Sequence, residues 1–382
     1  MTWDNTSLFS SGRTHLNSKV MKTIFSFLFL LISVIAGPET NTRAQPPSPG
    51  PEGKSPQSKT ILYIDTHNHL TGGQNWNQDF FGAAYKALAE MDELGIRKIF
   101  IMPPPFSPGR RGLFDLEDLL PLVRKYPDRL AALGGGGSLN VMIHQAWKSD
   151  SISPELTARF EEMADEIISK GAIGFGEFAV EHFSFNYDHP YESAPADHPL
   201  FLLLADLAAK HNVPVDIHME AIPKDMPLPD RRILTRSGNN PKTLRENLSA
   251  FERLLAHNPR AKIIWAHVGW CNTGFRTPAL CRELFKKHPN LYMSFKLSSE
   301  SVPETRPISE DKKTIKPEWL QLIKDYPDRF IIGTDQFYVP PGARPIGPQK
   351  TEATKNLMTL LPPDLARRIG LENPTRIFNL KE

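Results

Sequence analysis

The chain has 382 residues, with 45 Lys and Arg against 43 Asp and Glu, a formal net charge of +2 and two cysteines. This balance gives no reason to expect nucleic acid, and no interleaved cluster of basic and aromatic residues argues for it. Cys271 and Cys281 are too few for a disulfide framework, although an oxidising compartment would allow them to pair.

Residues 1–44 read as an N-terminal extension and a secretory signal peptide. Lys19 and Lys22 precede an apolar run at 24–36 (IFSFLFLLISVIA), and Val34-Ile35-Ala36 and Thr42-Arg43-Ala44 offer small-residue cleavage sites. The run is short for a membrane span. The mature chain is therefore expected in the periplasm or outside the cell, with no stable span after cleavage. Polar residues 1–20 fit poorly ahead of such a segment, so Met21 is an alternative start. Residues 45–59 (QPPSPGPEGKSPQSK) are rich in Pro, Gly and Ser and read as a disordered tether. The folded part is expected to be one domain, 60–382.

Eight strand-like runs follow, at 61–69, 96–102, 130–134, 172–177, 213–218, 262–267, 291–296 and 330–335. Amphipathic helices are expected between them at 80–94, 116–125, 154–170, 199–211, 240–257, 278–287 and 317–325, with more from Thr351 onward. The third of these opens Ser153-Pro154-Glu155, a capping serine and a proline at the first helical position. Eight βα units predict an α/β fold, a (β/α)8 TIM-type barrel. The segments after strands one to five, seven and eight are long and rich in Pro, Gly and aromatics. Such long βα loops lie on the catalytic face of a barrel.

Five of the runs end in residues that bind metal: His67 and His69, Glu177, His218, His267 and Asp335. Two-residue periodicity puts His67 and His69 on one face. It also puts Asp65 and Asp216 one layer deeper, as orienting groups or plain polar contacts. A parallel barrel gathers the C-terminal ends of its strands, so the six could converge on one or two divalent ions. Zinc suits three or more imidazoles with carboxylates. His211, His257 and His288 end helices instead, where a cation suits the helix dipole.

These motifs resemble the amidohydrolase superfamily, and most closely its amidohydrolase-related branch of metal-dependent hydrolases. The matching residues are Asp65-Thr66-His67-Asn68-His69, His218, Ala266-His267-Val268-Gly269, Gly333-Thr334-Asp335 and a closing Asn373-Pro374-Thr375-Arg376-Ile377-Phe378. The resemblance implies His67, His69, His218 and Asp335 as ligands, with His267 either binding a second ion or polarising the substrate carbonyl. Many binuclear relatives place a carboxylated lysine on strand four, where this chain has Glu177. That carboxylate could bridge two ions or stand beside one.

The reaction so implied is hydrolysis of a C–N or C–O bond in a small molecule, an amide, lactone or ester, with Asp335 moving the proton and His267 steadying the oxyanion. A decarboxylase of unsaturated or aromatic acids is the alternative, and a non-catalytic exported binding protein a third. Substrate contacts are expected from Lys296, Arg276 and Trp270. Arg110, Arg111, Arg231, Arg232 and Arg344 are further candidates to clamp a carboxylate or phosphate. Trp76, Phe106, Trp147, Phe183, Tyr187 and Tyr338 are candidate walls. A homo-oligomer is compatible with the sequence.

Overall fold

A parallel strand covered by helices must be apolar on both faces, and the chain supplies eight such segments. The computed structural model describes residues 62–72, 78–149, 151–298 and 300–381. The signal-like segment, the tether and Trp76 lie outside the described residues. The strands are β1 Tyr63–Leu70, β2 Ile96–Ile101, β3 Leu130–Ala132 continued by Gly134–Gly135, and β4 Phe175–His182. They continue as β5 Pro214–Met219, β6 Lys262–Val268, β7 Leu291–Phe295 and β8 Phe330–Ile332.

Each strand pairs in parallel with the next, and β1 pairs with β8 through Asp65 opposite Ile332. The ring closes at β3. Its first part pairs with β2, Ile99 opposite Leu130, and its second with β4, Gly134 opposite Phe175. At the join the Leu133 N–H donates to Ile101 O (3.1 Å), while the Ile173 N–H reaches back to Ala132 O (2.9 Å). The chain is thus a closed (β/α)8 barrel.

Nine α-helices of eight residues or more among the described residues pack outside it or among its loops: α1 Phe80–Leu94, α2 Leu116–Lys125, α3 Leu139–Ala146, α4 Pro154–Ser169, α5 Pro199–His211, α6 Leu248–His257, α7 Pro278–Lys287, α8 Pro317–Asp325 and α9 Thr351–Leu360. None is long and apolar enough to cross a membrane. Alternation along the strands divides the core in two. Ile99, Leu130, Ile263 and Phe330 face the helices. Ile64, Phe100, Leu133, Ile264 and Ile331 fill the barrel and are closed off by Ile377 and Phe378. The expected cap of α4 is present, with Ser153 Oγ accepting from the Leu156 N–H (3.2 Å). Cys271 and Cys281 are buried and unpaired.

Three boundaries differ from the sequence reading. The helix expected at 240–257 starts only at Leu248. Asn240 and Asn247 turn their side chains onto backbone groups of Ser184, Leu234, Glu220 and Ile222, which holds the segment in a loop. The loop after β3 contains α3, fastened to β4 by Asn140 Oδ1 accepting from the Ala179 N–H (3.0 Å). Strand β4 runs past Glu177 to His182, because Glu192–Ser193 folds back and pairs antiparallel with its end.

Candidate active site

The metal-ligand candidates do not follow simple strand alternation. Four residues lie beside three in β1 against β2 (Asp65 to Asn68 beside Ile99 to Ile101) and in β4 against β5 (Phe175 to Phe178 beside Val215 to Ile217). The same happens in β6 against β7, where Trp265 to Val268 lie beside Met293 to Phe295. Each extra residue is a bulge, which bends the strand and re-aims the side chains within it. Those side chains include His67, Glu177 and His267. His267 (φ 71°) and Asp335 (φ 55°) also have left-handed backbones. Such conformations are costly for non-glycine residues and are held by their surroundings. Gly333 lets β8 pass close by, since a Cβ there would lie 3.0 Å from His67 Cβ and 2.8 Å from Ser294 Cβ.

All six candidates converge at the mouth of the barrel. Glu177 is the hub. Its Oε1 lies 2.9 Å from His218 Nδ1 and 3.1 Å from His267 Nε2, and its Oε2 lies 3.4 Å from His67 Nε2 and 3.3 Å from His69 Nε2. His67 Nε2 and His69 Nε2 face each other at 3.2 Å. Asp335 Oδ1 is 3.2 Å from His69 Nε2 and 4.0 Å from His67 Nε2. Two triads, His67–His69–Asp335 and His67–Glu177–His267, have donor atoms close enough together to share one ion.

Behind these, the two deeper aspartates have different partners. Asp216 Oδ1 stands 3.1 Å from His67 Nδ1, off the line of a hydrogen bond, and neither atom has another partner. Asp65 is turned to the wall, accepting from the Thr334 N–H (2.9 Å) and hydroxyl (2.6 Å), so it braces β1 against the segment leading to Asp335. His69 Nδ1 sits 2.9 Å from Met102 O, which fixes its ring.

Electrostatics favour a cation here. Burial would raise the Glu177 carboxyl, but the charge of His67 and contacts from His218, His267 and His67 hold it well below the usual range. For His67 burial is outweighed by Asp216 and Glu177, and the imidazole is pushed well above its ordinary value. Asp335 is buried too, yet Lys296 and Lys350 hold it well below the usual carboxylate range. Burial and the charge of Lys296 push His267 well below its ordinary value, leaving a neutral imidazole able to donate a lone pair. Ring nitrogens facing one another across a carboxylate are the donor set a divalent ion takes, so the residues fit one.

A cavity of about 570 Å³ opens above this cluster, a size usual for small-molecule sites. Glu177, His218, Asp335, Lys296 and Trp270 line it, with Phe106, Arg110 and Arg111 from the loop after β2. Lys296 Nζ lies 2.5 Å from Asp335 Oδ2 and 3.6 Å above the centre of the Trp270 ring. The expectation for Arg276 is corrected. It is buried, stacks 4.2 Å over the Trp265 ring and donates to the carbonyls of Ala266 and Met219, where it ties the ends of β5 and β6 together. Of the remaining aromatic candidates, Tyr187 and Trp147 are exposed, and Phe183 and Tyr338 pack in the core.

Several lining residues escaped the sequence reading: His182 and His189, Phe185, Phe337, Arg236 and Lys350. His182 lies tilted against His218 (4.2 Å between centroids) and meets His189 edge to face (4.9 Å). They come from the unexpected extension of β4 and the loop behind it. His211 and His257 lie away from the site, paired with Asp165 and Asp206.

Fold and site together define an α/β-barrel protein with a histidine–carboxylate centre at the C-terminal face. A sequence profile described as Amidohydrolase matches residues 64–380, and the chain belongs to that family. No curated protein matches it. Among solved structures it is similar to 2,6-dihydroxybenzoate decarboxylase from Rhizobium, at 14% identity and TM-score 0.48, covering 83% of this chain and 98% of that one. It is also similar to dihydroorotase from Saccharomyces cerevisiae (13% identity, TM-score 0.49, 84% and 85% covered). A third is dihydroorotase from Campylobacter jejuni (16%, 0.46, 84% of both chains).

Proposed function

We propose that the protein is a metal-dependent hydrolase acting on an amide, lactone or ester bond of a small molecule. One observation carries this reading: a carboxylate, Glu177, enclosed by His67, His69, His218 and His267, beside Asp335 and open to a cavity. A bound divalent ion would supply Lewis-acid polarisation and would lower the pKa of water toward about 7. The two oxygens of Glu177 face different imidazole pairs, which supports zinc as one or two ions with Glu177 between them. Asp335 Oδ1 faces the imidazoles and is placed to accept the proton of the attacking water and return it to the leaving group. His267 lies on the far side of Glu177, where it serves as a further ligand or steadies negative charge on the substrate.

Elemental analysis of purified protein tests the reading. The expected result is at least one zinc per chain, with activity lost on chelation and regained on adding the metal. A ratio near two that falls to one in Glu177→Ala would support the bridge. Absence of any transition metal, with none taken up on reconstitution, would overturn the assignment. Decarboxylation is the second reading, favoured by the two buried ammonium groups Lys296 and Lys350 next to the centre. Release of carbon dioxide from candidate acids separates it from hydrolysis.

A further inference from the structure

Lys296 and Lys350 reach the same oxygen. Their Nζ atoms lie 2.5 Å and 3.3 Å from Asp335 Oδ2, and Lys350 also donates to the Asp335 carbonyl. Both residues are buried, 5% exposed each, and both line the cavity. Two ammonium groups sharing one carboxylate leave a positive charge without its own counter-ion, and a buried charge is costly unless paired. Among the described residues the other acids lining the cavity do not supply that partner: Glu192 accepts from the Ser107 hydroxyl and Asp188 is exposed. Glu177 is engaged by imidazoles, and Glu300 sits exposed at the rim.

Fold stability does not explain Lys350 either. It occupies the position before α9 without capping it, at the positive end of the helix dipole, where a cation is unfavourable. The surroundings are those of a ligand pocket. Lys296 lies over Trp270, and Lys350 lies 5.4 Å from the Phe337 ring centre. Phe106, Phe185 and Ile233 complete an apolar lining.

We propose that Lys296 and Lys350 form an anion clamp that takes a carboxylate of the substrate, so that the enzyme acts on small acids with an apolar body. A substrate carboxylate between the two ammonium groups gives them a second anionic partner beside Asp335. This inference rests on reading the neighbouring cluster as the hydrolytic centre.

Titration calorimetry with benzoate and with its uncharged analogue benzamide tests it, on purified protein whose metal content is measured in the same sample. Benzoate should bind at least about tenfold more tightly than benzamide. Lys350→Met should lose most of that preference at unchanged metal content, and Lys350→Arg should keep it. Lys296→Met provides a second variant, and melting curves establish that each variant is folded. Equal binding of the two probes, no binding of either, or a preference that survives both methionine variants would overturn the clamp. Protein that takes up no transition metal on reconstitution yet still prefers benzoate would overturn the hydrolytic centre and leave the clamp standing.

Discussion

Asp216 Oδ1 stands 3.1 Å from His67 Nδ1, across the barrel from β5 to β1, with both side chains fully buried. A carboxylate behind an imidazole sets which nitrogen it offers to a metal and raises its basicity. Asp216→Ala is therefore expected to weaken metal binding by roughly 10-fold to 100-fold. Competition with a chelator of known affinity measures this. Unaltered affinity would mean that Asp216 does not orient His67.

Asp335→Asn keeps the shape and one oxygen but removes the base. Turnover should fall by roughly 100-fold to 10,000-fold, the usual worth of a positioned proton-transfer group, with metal content falling far less. His67→Ala should instead lose metal and activity together. A metal-loaded Asp335→Asn protein with nearly full activity would move the base elsewhere, with His267 the first candidate.

Glu181, at the end of β4, gives a pH-dependent stability. Burial raises its carboxyl from 4.5 to about 7, against the opposing hydrogen bonds of Tyr191 and Ser193. The folded state then holds the proton more tightly than the unfolded chain. The stabilisation is complete below about pH 4.5 and is lost as pH rises through about 7. In Glu181→Gln the melting temperature should fall less across that interval than in the parent protein. Parallel curves for the two proteins would rule Glu181 out as the source. Glu192, raised to about 7 mainly by burial, contributes in the same direction in both.

Export is tested at the other end of the chain. N-terminal sequencing of protein recovered from its native compartment should begin near Gly37 or Gln45. Intact Met1 on cytoplasmic protein would contradict cleavage.

The strands and four of the imidazoles were legible in the sequence because they depend on local pattern. An apolar run ending in His has one place in a parallel barrel, the catalytic face. What was not legible depends on distance in the chain. Lys350 joins the site from a loop beyond Asp335, and nothing in its neighbours marks it as inward. His182 is in the cavity only because Glu192–Ser193 extends β4. Arg276 follows a strand as Lys296 does, yet carbonyls at the ends of two strands capture it first. Asp65 was placed correctly by periodicity as buried, but it reaches only the backbone of His67, whose ring faces Asp216.

The three bulges also limit how such a site can change in evolution. Deleting one residue from 65–68, 175–178 or 265–268 would remove that bulge. Residues beyond the deletion would keep their partners, while the side chain left at the bulge would lose the direction that the bulge gives it. His67, Glu177 or His267 would leave the centre although no ligand had been replaced. The loops, in contrast, can lengthen or shorten without disturbing that register. Substrate range is therefore free to diversify by insertion, while the strands that carry the ligands can change only by substitution.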